Sequence, residues 1–117
     1  MGHLHQRVKL TFKKTVTVDM LVDTGATFSL IPDALARKVG IARVPRRATV
    51  ELADGRRMKV DVGTAIFNVA GREGAATVHI GNVPEPILGV ETLEVLGLAV
   101  DPRGQRIIQT RNYAARA

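Results

Sequence analysis

The chain has 117 residues, the size of one domain, and its 45% hydrophobic and 24% charged residues exclude a disordered chain. It has no cysteine, which excludes disulfides, thiol catalysis and cysteine-based zinc sites. Aromatic residues are only 3%, so the core must be aliphatic and base stacking has little to work with; the net charge of +6 is scattered along the chain and reads as a solvated basic surface.

Strand signals dominate from the start. Val8-Lys9-Leu10-Thr11-Phe12 alternates apolar and polar residues, as a half-buried strand does. Lys13-Lys14 makes a turn, and Val16-Thr17-Val18-Asp19-Met20 alternates again before Leu21-Val22 runs straight into Asp23. Asp23-Thr24-Gly25-Ala26 breaks the strand. Pro32 opens a short helix over Asp33 to Val39, and Gly40 stops it. Thr49–Leu52 and Arg57–Val60 flank Ala53-Asp54-Gly55-Arg56, where Asp-Gly between alternating runs signals a hairpin. Strands follow at Thr64–Val69 and Ala76–Ile80. A second short helix spans Glu91 to Leu96, and Gly97 stops it. Leu98–Val100 and Arg106–Gln109 then flank a turn at Asp101-Pro102-Arg103-Gly104. Short strands with regular turns indicate an all-β barrel or sandwich.

The chemistry concentrates at Asp23. A carboxylate set directly after apolar strand residues costs solvation energy unless it is hydrogen-bonded. Thr24 supplies a hydroxyl that can lock the turn, Gly25 can donate its N–H to the carboxylate, and Ala26 leaves room beside it. The expected result is a rigid loop presenting one acid at the floor of a cleft. One acid is a weak catalyst of peptide hydrolysis. Two acids about 3 Å apart cannot both ionise and share one proton, so one activates water while the other donates to the scissile carbonyl. With one such loop per chain, the second acid must come from a two-fold related copy.

Asp23-Thr24-Gly25-Ala26 resembles the active-site motif of retropepsin-like aspartic proteases, and the run ILGVETLEVLGLAVDP is similar to their prokaryotic single-domain relatives. The tetrapeptide alone would read equally well as an Asx turn. Its context carries the resemblance: an apolar strand before it, Asp54-Gly55 at a distance suited to a flap hairpin, and Ile87-Leu88-Gly89 followed by a short helix. The resemblance covers roughly residues 8 to 108. It implies an all-β, closed acid-protease-type barrel with one flap hairpin and one or two short helices. The implied domain is residues 8–110, between a flexible stretch 1–7 and a tail 111–117. Asp23 would be the catalytic acid of a homodimeric endopeptidase, with Thr24 bonding across the dimer axis. Gly25 would offer its carbonyl to a peptide substrate, and Ala26 would complete the loop. Leu52, Ala53, Asp54 and Gly55 would form the flap tip. Ile87, Leu88 and Gly89 would pack behind the loop.

The sequence departs from the retroviral pattern at three places. The flap tip has one glycine beside Asp54, Arg56 and Arg57, which implies a stiffer, charged flap. Thr27 stands where many retroviral enzymes carry an acid, and Val90 where they carry an arginine. Leu98–Ile108 is the expected candidate for the dimer sheet. No cofactor is implied, and no metal, since His3 and His5 lack a third ligand and His79 stands alone. The competing reading is a non-proteolytic module of the same fold that dimerises or binds an acidic partner or RNA through its basic surface. Nucleic acid is the weaker partner class. The amino terminus holds no apolar run of signal-peptide length and no stretch approaches the ~20 apolar residues of a membrane span, so a cytoplasmic location is the expectation.

Overall fold

A computed structural model describes residues 4–52, 54–103 and 105–110. Among the described residues nine strands and two short helices follow in the order β1 (His5–Thr11), β2 (Thr15–Val22), β3 (Ser29–Pro32), α1 (Asp33–Val39), β4 (Val44–Glu51), β5 (Arg57–Val69), β6 (Arg72–Gly81), β7 (Ile87–Leu88), α2 (Val90–Val95), β8 (Leu98–Asp101) and β9 (Arg106–Gln109). Seven strands form one sheet in the order β1-β2-β7-β3-β6-β5-β4, and a further β1–β5 pairing bends it back on itself. The expected all-β class with short helices is therefore met, with the strands closed as a sheet ring that leaves β4 on its rim. β8 and β9 form a separate two-stranded sheet.

Alternation builds the ring. Val8 and Leu10 of β1 point inward, and Lys9 between them is exposed. They meet Met20, Ile31, Phe67, Val78, Ile80, Leu88, Leu93 and Leu96 in one core, to which Phe67 alone contributes an aromatic side chain among the described residues. Full burial of each such aliphatic side chain stabilises the fold by roughly 1.5–3 kcal/mol. Both helices pack onto this core, α1 through Ala36 and Val39 and α2 through Leu93. Pro32 precedes α1 in extended backbone, and Gly40 ends it at φ +80° with its N–H on Ala36 and Arg37 carbonyls. Arg43 then ties α1 to β5 by binding Asp33 and Asp61.

Several boundaries differ from the sequence expectation. β1 starts at His5, not Val8, because His5 pairs with Leu21 and the Val22 N–H donates to the Leu4 carbonyl. The expected strands at Arg57–Val60 and Thr64–Val69 are one continuous β5. Gly63 between them does not break it, because its neighbours stay paired, Asp61 through Thr64 lying opposite Ile80 through Thr77. β6 begins earlier than expected, at Arg72. The β5–β6 turn is Ala70-Gly71, both with positive φ (51° and 81°), the backbone of a two-residue hairpin. The second helix runs one residue earlier than expected, over Val90–Val95. β3 had no distinct signal in four residues that lead straight into a helix.

Candidate active site

β7 lies between β2 and β3, two strands that follow each other in the chain. Residues 23–28 must therefore loop over β7, and this loop carries Asp23. Its backbone is held from both sides. The Asp23 N–H donates to the Leu88 carbonyl (3.0 Å), and the Asp23 carbonyl accepts the Ala26 N–H (3.1 Å). Helix α2 begins just after β7, and a helix start leaves N–H groups without intrahelical partners. Two of these, from Val90 and Glu91, donate to the Ala26 and Thr27 carbonyls, each at 2.8 Å. The start of α2 and the acid-bearing loop thus satisfy each other.

A buried polar knot lies beneath. The Ser29 and Thr92 hydroxyls bond each other at 2.7 Å, and Ser29 Oγ accepts the Gly89 N–H at 3.0 Å. Gly89 sits so close to the loop that a Cβ there would lie 2.5 Å from the Phe28 carbonyl carbon. Glycine at this position is a requirement of backbone approach.

The half-buried Asp23 carboxylate accepts the Gly25 N–H through Oδ1 at 2.9 Å. Among the described residues no cation pairs with it. Thr24 beside it is exposed, and its hydroxyl makes no hydrogen bond among the described residues. Asp23 opens on a cleft of about 700 Å³ lined also by Gly25, Ala26, Ile87, the β4 residues Thr49–Glu51 and Leu52 just beyond them. The arrangement presents one carboxylate, on a loop braced by backbone bonds, at the wall of that cleft.

Of the expected site residues, the structure brings Asp23, Gly25, Ala26, Leu52 and Ile87 to one cleft. Leu88 is fully buried behind the loop, and Gly89 is buried with it. Asp54 and Gly55 stand apart, at an exposed hairpin tip between β4 and β5. Ala53 lies outside the described residues, as do Gly104 and residues 111–117. At the tip, Asp54 accepts the Arg56 N–H through Oδ1 (3.0 Å) and the Arg56 guanidinium through Oδ2 (2.7 Å). The backbone bond from Arg56 and then its side-chain bond hold the Asp54 carboxyl below its ordinary value.

Sequence reasoning missed the lining residues Phe28, Leu30, Thr49, Val50, Glu51 and His79. Leu30 and Phe28 could not be placed without β3. His79 carried a signal, because it interrupts the apolar run Val78–Ile80 at a position that proves buried. Among the described residues no group of three His, Asp or Glu side chains is placed to hold a metal ion. Neither helix is long and apolar enough to cross a membrane.

No curated protein matches the chain significantly. The sequence profile of one family, gag-polyprotein putative aspartyl protease, matches residues 8–95, from β1 to the end of α2 and across the whole Asp23 loop. With three-quarters of its length aligned to that profile and its single loop acid facing the cleft, the chain belongs to this retropepsin-like aspartyl protease family.

Proposed function

We propose that the protein is an aspartic endopeptidase that works as a homodimer, with Asp23 of each copy supplying one half of the catalytic pair. The observation that carries this reading is the Asp23 loop itself. It is braced by β7 and α2, yet its carboxylate has one backbone hydrogen bond and opens on a cleft of about 700 Å³. The neighbouring Thr24 hydroxyl, exposed and without a bond among the described residues, suits a contact across the two-fold axis. The β8–β9 hairpin, outside the ring, suits the dimer sheet.

In this mechanism the two carboxyls share one proton. The ionised member takes a proton from water, and the water oxygen bonds to the scissile carbonyl carbon. The neutral member donates its proton to the carbonyl oxygen, giving a tetrahedral diol. Return of a proton to the amide nitrogen lets the C–N bond break, releasing a carboxyl and an amine. The loop contributes by orientation: carboxyls fixed before substrate arrives need no reorganisation during the reaction. The leading substrate is an extended peptide lying between the loop and the β4 wall, and residues 8–110 form the protease domain.

The test is Asp23→Asn, which keeps the side chain's shape and its acceptor for the Gly25 N–H. The variant should fold and dimerise like the wild type and lose peptide cleavage by several orders of magnitude. Wild-type activity per chain should rise with protein concentration and be blocked by statine-type inhibitors. Cleavage of a peptide library that survives Asp23→Asn overturns the assignment.

A further inference from the structure

Register sets out the cleft floor as a row. Leu30 of β3 pairs with Ile87 of β7 on one side and with His79 of β6 on the other. Paired residues on neighbouring strands share a face, so Ile87, Leu30 and His79 line one surface in that order. All three line the cleft. Strand order places β6 three spacings of about 4.8 Å from β2, the strand that delivers Asp23. His79 is therefore out of proton-transfer reach of the acid and stands at the far end of the floor.

Its surroundings are unusual for a histidine. It is 7% exposed, and its Nδ1 is buried with no hydrogen-bond partner among the described residues. Its ring tilts against Phe28, with centroids 4.8 Å apart. Phe28 and Leu30 lining the same end are apolar, and a leucine at position 79 would complete an apolar floor at no polar cost. A buried nitrogen left without a partner is costly, and a bound group that supplies the missing bond recovers that cost.

Resting on the protease reading above, we propose that His79 is a specificity-determining residue. Its imidazole would select a substrate side chain that is uncharged and hydrogen-bonding, an amide or a hydroxyl, seated against Phe28 and Leu30. The chemistry narrows the choice. Burial pulls the His79 imidazole below its ordinary value, so near neutral pH it is uncharged and offers one donor and one acceptor. A cationic side chain would be driven against Phe28 and Leu30 without a matching charge there. An anionic one would enter a cleft whose charged lining residues are Asp23 and Glu51. An aliphatic one would leave Nδ1 without a bond. Nδ1 is buried in this ring orientation, so a turn of the His79 ring presents it to the substrate group that makes the bond.

The experiment profiles cleavage of a peptide library by the wild type, His79→Leu and His79→Gln, with thermal melts of each. The wild type should prefer Asn, Gln, Ser or Thr at one subsite. His79→Leu should lower the ratio of kcat/KM for polar over aliphatic residues there by about 10-fold or more, through KM, and His79→Gln should restore part of it. A general packing role would not move one subsite alone. A second arm follows the ring signals of isotope-labelled histidine in the Asp23→Asn variant as an Asn-containing and a Leu-containing peptide are added. Only the former should shift His79. Identical profiles for wild type and His79→Leu, or peptide binding that leaves the His79 signals unmoved, overturns the proposal and leaves the protease reading standing. Cleavage that survives Asp23→Asn removes the protease reading instead, and the binding arm still decides the role of His79. If no peptide is cut or bound, both fall.

Discussion

The loop at residues 23–28 lines the Asp23 cleft, and the β4–β5 hairpin reaches it through Leu52 while Asp54 and Gly55 stand apart at the exposed tip; the two elements are held in different ways. The loop receives bonds from distant segments: Leu88, Val90 and Glu91 reach its backbone, and the Ser29–Thr92–Gly89 knot sits buried beneath it. The hairpin tip is held by its own residues. Leu52 N–H bonds the Arg56 carbonyl at 2.7 Å, Gly55 N–H bonds the Leu52 carbonyl at 2.9 Å, and Asp54 bonds Arg56. Long-range, buried bonds make a floor that opens only with the whole fold. Local, exposed bonds make an element that opens by itself. A peptide hydrolase needs both: acids fixed within a fraction of an ångström, and a cover that admits substrate.

The sharpest way to break this contrast is to add one methyl group on each side. Gly89→Ala drives a Cβ to 2.5 Å from backbone of Phe28, which no rotamer change relieves. The expected loss is about 3 kcal/mol or more, or failure to fold, read by denaturant titration. Gly55→Ala meets nothing within 4 Å, and its cost is the φ of +86° alone. That should be about 1 kcal/mol. Equal losses at the two positions would mean that floor and tip are held alike.

Ser29→Ala probes the knot itself. It removes one hydroxyl and leaves two buried groups, the Thr92 hydroxyl and the Gly89 N–H, short of a partner. Such orphaning costs about 1–3 kcal/mol. Amide exchange should quicken across residues 23–29 and 87–92 together while the 52–56 tip keeps its wild-type rates. A change confined to residue 29 would show that the knot does not unite the loop with α2.

The same contrast governs how much could be read from the chain. The Asp23 loop was legible because its demands are local in sequence: an apolar strand, an acid, a small turn, and later two apolar residues with a glycine. The α1 boundaries were legible because Pro32 and Gly40 mark them through φ preferences alone. β3 was not, since four residues between a loop and a helix show too little alternation to register. His79 stood out only as a break in the apolar run Val78–Ile80, and its environment stayed hidden for a different reason. Its burial depends on pairing with Leu30 from a strand some fifty positions earlier, and such pairing leaves no periodic trace. The β5–β6 turn was hidden because Ala70 takes positive φ where Asn or Asp is the usual sign.

Asp54→Ala is the mildest of these changes, and it separates the roles of the two elements most cleanly. The side chain is exposed, and both its bonds go to Arg56 two residues on, so the melting temperature should stay where it is. What should change is the tip: amide exchange at Gly55 and Arg56 should rise, and KM for peptides should rise with kcat held. Acid should mimic the substitution. The Asp54 carboxyl is held below its ordinary value, so its contribution to tip order is fully present above the ordinary aspartate range. It should fade as pH falls through the lower folded value. In the Asp54→Ala variant that acid-dependent loosening should be absent. If wild type and variant loosen in parallel on acidification, the tip is controlled by some other group, and its charge pair is incidental to how the cleft is covered.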